Sequence, residues 1–101
     1  MLFVVTCQDR PGHLALRQEN REAHLEWANV KDSPVKMAGP LLDETGDPVG
    51  SLLVVEAENG PSLEAFMKDD PYAQAGLFAQ VTYAPFKWTV KPPADLGGPA
   101  R

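Results

Sequence analysis

Cysteine is almost absent from this 101-residue chain, whose single example is Cys7. One cysteine forms no disulfide within the chain, which excludes the framework of a small secreted protein and indicates a reducing compartment. Long apolar runs are missing too: none approaches the roughly 20 residues of a membrane span, and the opening run 2–5 is too short for a signal-peptide core. We therefore expect a cytoplasmic protein with no membrane partner.

Positive charge is scarce as well. The chain has nine Lys and Arg residues against fourteen Asp and Glu residues, a formal net charge of -5. Proteins that bind nucleic acids need a basic surface to neutralise phosphates, whereas the lysines of this chain are scattered along its length. The charge balance therefore excludes a nucleic-acid partner.

Motifs for metals and phosphates are also absent. The sequence has neither paired cysteines nor an HExxH pattern, and His13 and His24 are too widely spaced to be neighbouring metal ligands on one helix. Gly97 and Gly98 are followed by no predicted helix, so they do not form a phosphate-binding loop. We expect neither a metal nor an organic cofactor.

What the sequence does contain is an alternation of apolar strands and helical stretches, separated by Pro and Gly. The predicted strands are 2–7, 35–42, 50–57 and 78–90, and the predicted helices are 14–30 and a short one from about 59–62 to 68, followed by one helical turn at 73–77. This order is β-α-β-β-α-β, the split βαβ or ferredoxin-like unit, an α+β fold with an antiparallel sheet. We expect one domain over residues 1–90 and a flexible, Pro- and Gly-rich tail over residues 91–101.

The prolines and the apolar pattern predict the arrangement of the sheet. Pro40 and Pro85 fall in the second and fourth strands, which suits edge positions because proline cannot donate a ladder hydrogen bond. The first and third strands are apolar at successive positions, so both faces of the sheet should be covered. Two helices cover one face, and the simplest cover for the other is a second copy, in a face-to-face homodimer. The alternative is a sheet that exposes a few apolar residues.

Two distant segments carry the candidate chemistry. Arg21 and His24 share a face of the long helix, and Asp70 begins an Asp-Pro-Tyr turn far along the chain. A carboxylate that fixes the tautomer of a histidine makes it a general acid or base, so we consider His24 as the proton carrier and Asp70 as its orienting group. Arg21 would hold an anionic or phenolic oxygen of the substrate.

His24 and Asp70 each have a structural alternative, which the local sequence alone favours. His24 would be a half-exposed side chain beside a surface arginine, and Asp70 would cap a turn, as an Asp before Pro commonly does. Tyr72 either donates a phenolic hydrogen bond into the cleft or packs. Ser51 is a candidate pocket residue, but no Gly-x-Ser-x-Gly elbow surrounds it, which argues against nucleophilic catalysis.

Over residues 1–90, several short segments stand in an order and spacing that are specific when taken together: Leu2-Phe3-Val4-Val5, Arg21-x-x-His24, Ala38-Gly39-Pro40, Gly50-Ser51, Asp70-Pro71-Tyr72 with Ala75-Gly76, and Pro85-Phe86-Lys87. In these segments the chain resembles the YciI-like family, a group of dimeric α+β barrels related in fold to muconolactone isomerases and small cofactorless monooxygenases. The resemblance implies a homodimer and a cleft containing a His and an Asp, which His24 and Asp70 match. A dehydrochlorinase of chlorinated hydroxyquinols belongs to this family.

The leading hypothesis is therefore a small cofactor-independent enzyme of the lyase or isomerase type. It would use His24 and Asp70 for proton transfer or elimination on a small, cyclic or aromatic substrate, with Arg21, Ser51 and Tyr72 as substrate-binding residues. Two other readings stay open: a non-catalytic dimeric module that binds a small ligand or serves in stress, and a purely structural partner domain in which His24 and Asp70 lie apart.

Overall fold

The computed structural model describes residues 1–90, and the predicted tail 91–101 lies outside the described residues. The elements in chain order are β1 (Leu2–Asp9), α1 (Leu14–Ala28), β2 (Val35–Leu42), β3 (Pro48–Glu56), α2 (Gly60–Met67), α3 (Pro71–Gln74) and β4 (Phe78–Phe86). This order confirms the ferredoxin-like α+β fold. Within residues 1–90, no helix has the length and apolar character needed to cross a bilayer.

The four strands form one antiparallel sheet in the order β2-β3-β1-β4. The first and third strands are central, and Pro40 and Pro85 lie in the edge strands, as the sequence predicts. β4 ends at Phe86, four residues earlier than expected. The reason is its partner: Phe86 pairs with Leu2, the first residue of β1, so no strand remains for the chain to follow.

One face of the sheet carries the core. Along β1, Phe3, Val5 and Cys7 are buried and alternate with more exposed residues, the period of a strand with one covered face. Leu53 and Val55 of β3 pair with Val5 and Phe3 and extend the same surface. The helices cover it with Leu63 and Met67 of α2. Burying each large side chain contributes roughly 1.5–3 kcal/mol, so this cluster fixes how the helices lie on the sheet.

The opposite face lacks a helical layer; it is apolar towards one end, where Val4 pairs with Val54, and polar towards the other, where Gln8 pairs with Gln80. Val4 and Leu52 are half-buried, and Val54 is 2% exposed. Thr6 is exposed and lies at the middle of this face, because it pairs with Leu52 on one side and Thr82 on the other. We refer to this surface as the open face.

Two helix starts explain how the site is positioned. Asn59 accepts a hydrogen bond from Ser62 N and caps α2. The helical turn expected from residue 73 begins earlier, at Pro71, because the Asp70 side chain accepts from Tyr72 N and caps it. That cap brings Asp70 and Tyr72 against α1.

Candidate active site

The site is built on the buried side of α1. Arg17, His24 and Ala28 are the buried residues of this helix, spaced at seven and four residues so that they project from one face. Arg21, which the sequence also places on this face, is exposed. Two polar side chains therefore stand where an amphipathic helix ordinarily presents apolar ones, and each needs a buried partner.

His24 finds its partner in Asp70, 46 residues away. Its Nδ1 lies 2.9 Å from Asp70 Oδ1, and the same oxygen accepts the α3 cap bond from Tyr72 N at 2.9 Å. Asp70 is fully buried, and its second oxygen, Oδ2, has no hydrogen-bond partner among residues 1–90. A carboxylate oxygen can accept from an Nδ1–H donor, and in a neutral imidazole of that tautomer the other nitrogen, Nε2, is the acceptor. Nε2 makes no hydrogen bond within residues 1–90.

Tyr72 packs against two of these groups. Its ring is stacked on the His24 imidazole, with centroids 4.1 Å apart and planes 14° apart, and Arg17 Cζ lies 4.5 Å from its centroid. The contact with Arg17 has the geometry of a cation–π interaction. Burial raises the pKa of the Tyr72 phenol, against the opposing positive charges of Arg17 and Arg21. The phenol therefore stays protonated at neutral pH.

Arg17 is held by a second carboxylate. Its Nε donates to Asp9 Oδ2 at 2.6 Å, and its Nη2 donates both to Asp9 Oδ1 at 2.9 Å and to Ser51 Oγ at 2.8 Å. Arg17 is 4% exposed, Asp9 8% and Ser51 2%. Burial acts to lower the pKa of Arg17, but the hydrogen bond and charge of Asp9 outweigh it and raise that pKa above its ordinary value. The guanidinium is thus a fixed cation.

A cavity of about 490 Å³ opens beside these groups, between α1 and the β2–β3 side of the sheet. Four of the predicted site residues line it: Arg21, His24, Ser51 and Tyr72. Asp70 does not line it and instead contacts His24. The remaining wall is largely apolar, with contributions from Val35, Met37, Ala38, Pro40 and Pro48.

Sequence reasoning missed Arg17 and Asp9 as site residues. The alternation of β1 contains a usable signal for Asp9, since residues 3, 5, 7 and 9 point to the covered face and a carboxylate there requires a buried partner. Within residues 1–90, no cluster of three or more His, Cys, Asp or Glu side chains is arranged to hold a metal ion.

Comparison with known proteins places this chain in a family. The YCII-related domain matches residues 1–87. The protein YciI of Escherichia coli O6:H1 is 32% identical over 95 residues, covering 86% of this chain and 97% of that protein. An uncharacterised protein of Haemophilus influenzae is 33% identical over 97 residues, with the same two coverages of 86% and 97%.

Two solved structures share the fold. The 5-chloro-2-hydroxyhydroquinone dehydrochlorinase TftG of Burkholderia phenoliruptrix, in complex with 2,5-dihydroxybenzoquinone, is 35% identical with a TM-score of 0.77, covering 86% of this chain and 94% of that one. An antibiotic biosynthesis monooxygenase is 12% identical with a TM-score of 0.54 over 88% of this chain and 99% of that one, a likeness of fold alone. The family match over residues 1–87 and the curated relatives agree: the chain belongs to the YCII-related domain family.

Proposed function

We propose that the protein is an enzyme that eliminates HCl, or transfers a proton, on a small hydroxylated ring compound, with His24 as proton carrier and Asp70 as the group that orients it. The observation that carries the proposal is the 2.9 Å hydrogen bond from His24 Nδ1 to the buried Asp70, on a histidine that lines the cavity. This bond fixes the tautomer in which Nε2 is the free base. The likeness to TftG, a dehydrochlorinase, supports this reaction class.

In the proposed elimination, His24 Nε2 takes a proton from a ring hydroxyl. The electron pair of that O–H bond forms a carbonyl, and the proton is returned to the chlorine-bearing carbon next to it, which becomes an sp3 C(H)Cl centre. Loss of the proton of a second hydroxyl, para to the first, then forms a second carbonyl and a ring C=C bond at this carbon, and the C–Cl bond breaks with its own pair to release chloride and leave a quinone. The organic product has lost HCl, so the step balances without an oxidant or a cofactor. Asp70 stabilises the imidazolium formed during the reaction, because its carboxylate accepts a hydrogen bond from Nδ1 at every step. Tyr72 supports the imidazole by stacking, and Arg21 and Ser51 line the space that the substrate would occupy.

The test is chloride release from 5-chloro-2-hydroxyhydroquinone, measured without oxygen because the substrate oxidises in air. We expect His24→Ala to lower the rate by about 10²- to 10⁴-fold, the usual contribution of general acid–base catalysis. Asp70→Asn should lower it less, because an amide oxygen still accepts from Nδ1 but carries no charge. His13→Ala is the matched control: His13 is exposed and does not line the cavity, so its rate should equal the wild type.

Each alternative gives a different result. Chloride release by His24→Ala at the wild-type rate would remove His24 from the mechanism. Tight binding of the quinone product with no turnover in any variant would favour the non-catalytic ligand-binding module instead.

We also propose that the open face pairs with a second copy of the chain to form the homodimer expected from the sequence. The support is physical: half-buried apolar residues of the two central strands, such as Val4 and Leu52, lie on a face that no helix of residues 1–90 covers. Apolar side chains on a sheet face without a covering layer mark an interface in many proteins.

A further inference from the structure

Arg17 presents hydrogen-bond donors that the fold leaves unused. Asp9 and Ser51 accept from Nε and Nη2. The Tyr72 phenol also interacts with the guanidinium and accounts for at most one of the N–H groups on the third nitrogen, Nη1. A guanidinium carries five N–H groups, two of them on Nη1. Arg17 is 4% exposed and lines the cavity, so little of its side chain reaches bulk water. An acceptor supplied from the cavity would satisfy the unused donors.

Ser51 adds a donor to the same wall. Its Oγ accepts from Arg17 Nη2 at 2.8 Å and makes no other hydrogen bond within residues 1–90. A hydroxyl that accepts in this way still has its own proton to donate. Both Arg17 and Ser51 line the cavity, as does Tyr72, whose ring contacts Arg17 and the His24 imidazole. The Tyr72 ring therefore contacts both Arg17, which has the unused donors, and His24, the proposed base.

The charge of the cavity wall is opposite to that of the chain. Arg17, Arg21 and Lys36 line the cavity, and no Asp or Glu of residues 1–90 does so. This happens in a chain whose formal net charge is -5. Both carboxylate oxygens of Asp9 accept hydrogen bonds from Arg17, and the carboxylate of Asp70 is hydrogen-bonded to His24. Such a wall attracts anions and repels cations.

We infer that Arg17 and Ser51 form an oxyanion subsite that binds an ionised oxygen of the substrate beside His24, and that the substrate is therefore a small organic anion, such as a phenolate, an enolate or a carboxylate. The inference rests on the proposed function for the role of His24 and deepens it by naming the charge of the substrate. It reassigns the oxygen-binding role that the sequence gives to Arg21. The buried guanidinium is held in place by Asp9, whereas Arg21 is exposed and makes no side-chain hydrogen bond within residues 1–90.

The test is calorimetric binding of two quinones. The first, 2,5-dihydroxybenzoquinone, is ionised at neutral pH, and the second, 2,5-dimethoxybenzoquinone, has the same ring but cannot ionise. We expect the wild type to bind the ionised compound at least about 10-fold more tightly. Arg17→Lys keeps a cation beside Asp9 but loses the fork of N–H groups, and it should weaken binding of the anion by about 10- to 100-fold, as for hydrogen bonds to charged groups. Ser51→Ala should weaken it by about 5- to 10-fold.

Two controls separate binding from folding and general charge. Lys31→Gln removes one exposed positive charge outside the cavity and should leave the affinity for the anion within twofold, by the small effect expected of a distant surface charge. If Arg17→Lys does not fold, which its thermal melting curve will show, Ser51→Ala carries the test, since it removes a donor without removing a charge. Neither Arg17→Lys nor Ser51→Ala should change the affinity for the uncharged quinone as much as that for the anion.

The subsite is overturned if the wild type binds both quinones equally, if it does not bind the ionised one at millimolar concentration, or if the folded subsite variants keep full affinity for it. The subsite can be tested separately from the proposed function, because ligand binding can be measured without turnover. His24→Ala should still bind the anion. Loss of affinity in Arg17→Lys together with no chloride release by the wild type would keep the subsite and reject the elimination.

Discussion

The ring of Tyr72 lies flat against the imidazole of His24, with centroids 4.1 Å apart and ring planes 14° apart. Asp70, two residues before Tyr72, is hydrogen-bonded through Oδ1 to Nδ1 of the same imidazole. One short turn thus contacts the histidine both on its face and at its edge. The turn is itself fixed by the bond from Tyr72 N to Asp70 Oδ1, so the two contacts are mechanically linked.

Loss of the stacked ring should disturb the histidine more than loss of the phenolic hydroxyl. We expect Tyr72→Phe to release chloride within about threefold of the wild type, whereas Tyr72→Leu should lose about 10- to 100-fold because a small displacement of a catalytic group has effects of this size. Nitrogen NMR of the His24 ring should show one dominant tautomer in Tyr72→Phe and a mixture of tautomers in Tyr72→Leu. Equal rates in both variants would show that stacking does not position the imidazole.

The Asp9–Arg17 pair should dominate the stability of this end of the sheet. Removal of one partner from a buried ion pair leaves an unpaired charge, at a cost of about 3–5 kcal/mol. We expect Asp9→Ala to lower the free energy of unfolding by about that amount in urea titrations, and Asp9→Leu combined with Arg17→Met to recover most of it. Glu58→Ala, which removes an exposed carboxylate, should change it by less than about 0.5 kcal/mol. A double variant no more stable than Asp9→Ala would contradict this account.

Cys7 should make the protein less stable at alkaline pH. Burial raises the pKa of its thiol from 9.0 to about 12, and the charge of Asp70 adds to the effect. The unfolded chain therefore loses this proton first, and the folded state loses stability as pH rises from 9 towards 12. From about pH 8 to about pH 11, the wild type should lose about 2.5 kcal/mol more than Cys7→Ala.

The comparison with Cys7→Ala cancels the other groups that titrate in this range. The pKa of Tyr72 is also raised by burial, but it contributes equally to both proteins. Parallel stability curves for the wild type and Cys7→Ala would show that the thiol ionises as easily in the folded protein as in the unfolded chain.

A charge at the middle of the open face should separate the proposed homodimer. Thr6 is exposed at that position, so Thr6→Glu leaves the core of one chain intact. We expect light scattering to report about twice the chain mass for the wild type and the mass of one chain for Thr6→Glu at the same micromolar concentration. Ala65→Glu, on the exposed surface of α2, should remain dimeric. A wild type that scatters as a single chain would reject the homodimer.

Much of the fold can be predicted from local sequence patterns. The Pro residues at 40 and 85 identify the edge strands because a ring nitrogen cannot join the sheet ladder, whatever the rest of the chain does. The apolar runs of β1 and β3 identify the central strands for an equally local reason. Successive side chains of a strand point to opposite faces of the sheet, so a run of successive apolar residues indicates a strand with two apolar faces. These properties depend on neighbouring residues, and they sufficed to predict the element order and the sheet.

The site depends on contacts that no local pattern contains. The sequence presents Arg17 and Arg21 on one helical face, but only the packed structure shows that Asp9 stands opposite Arg17 and that Arg21 is exposed. His24 and Asp70 are 46 residues apart, and their hydrogen bond requires α1 and the α3 cap to meet at one angle over the sheet. That angle is set by the whole buried core together. The sequence by itself therefore determined the strands, the helices and the family, whereas tertiary packing decided which charged side chains are buried and which partners they have.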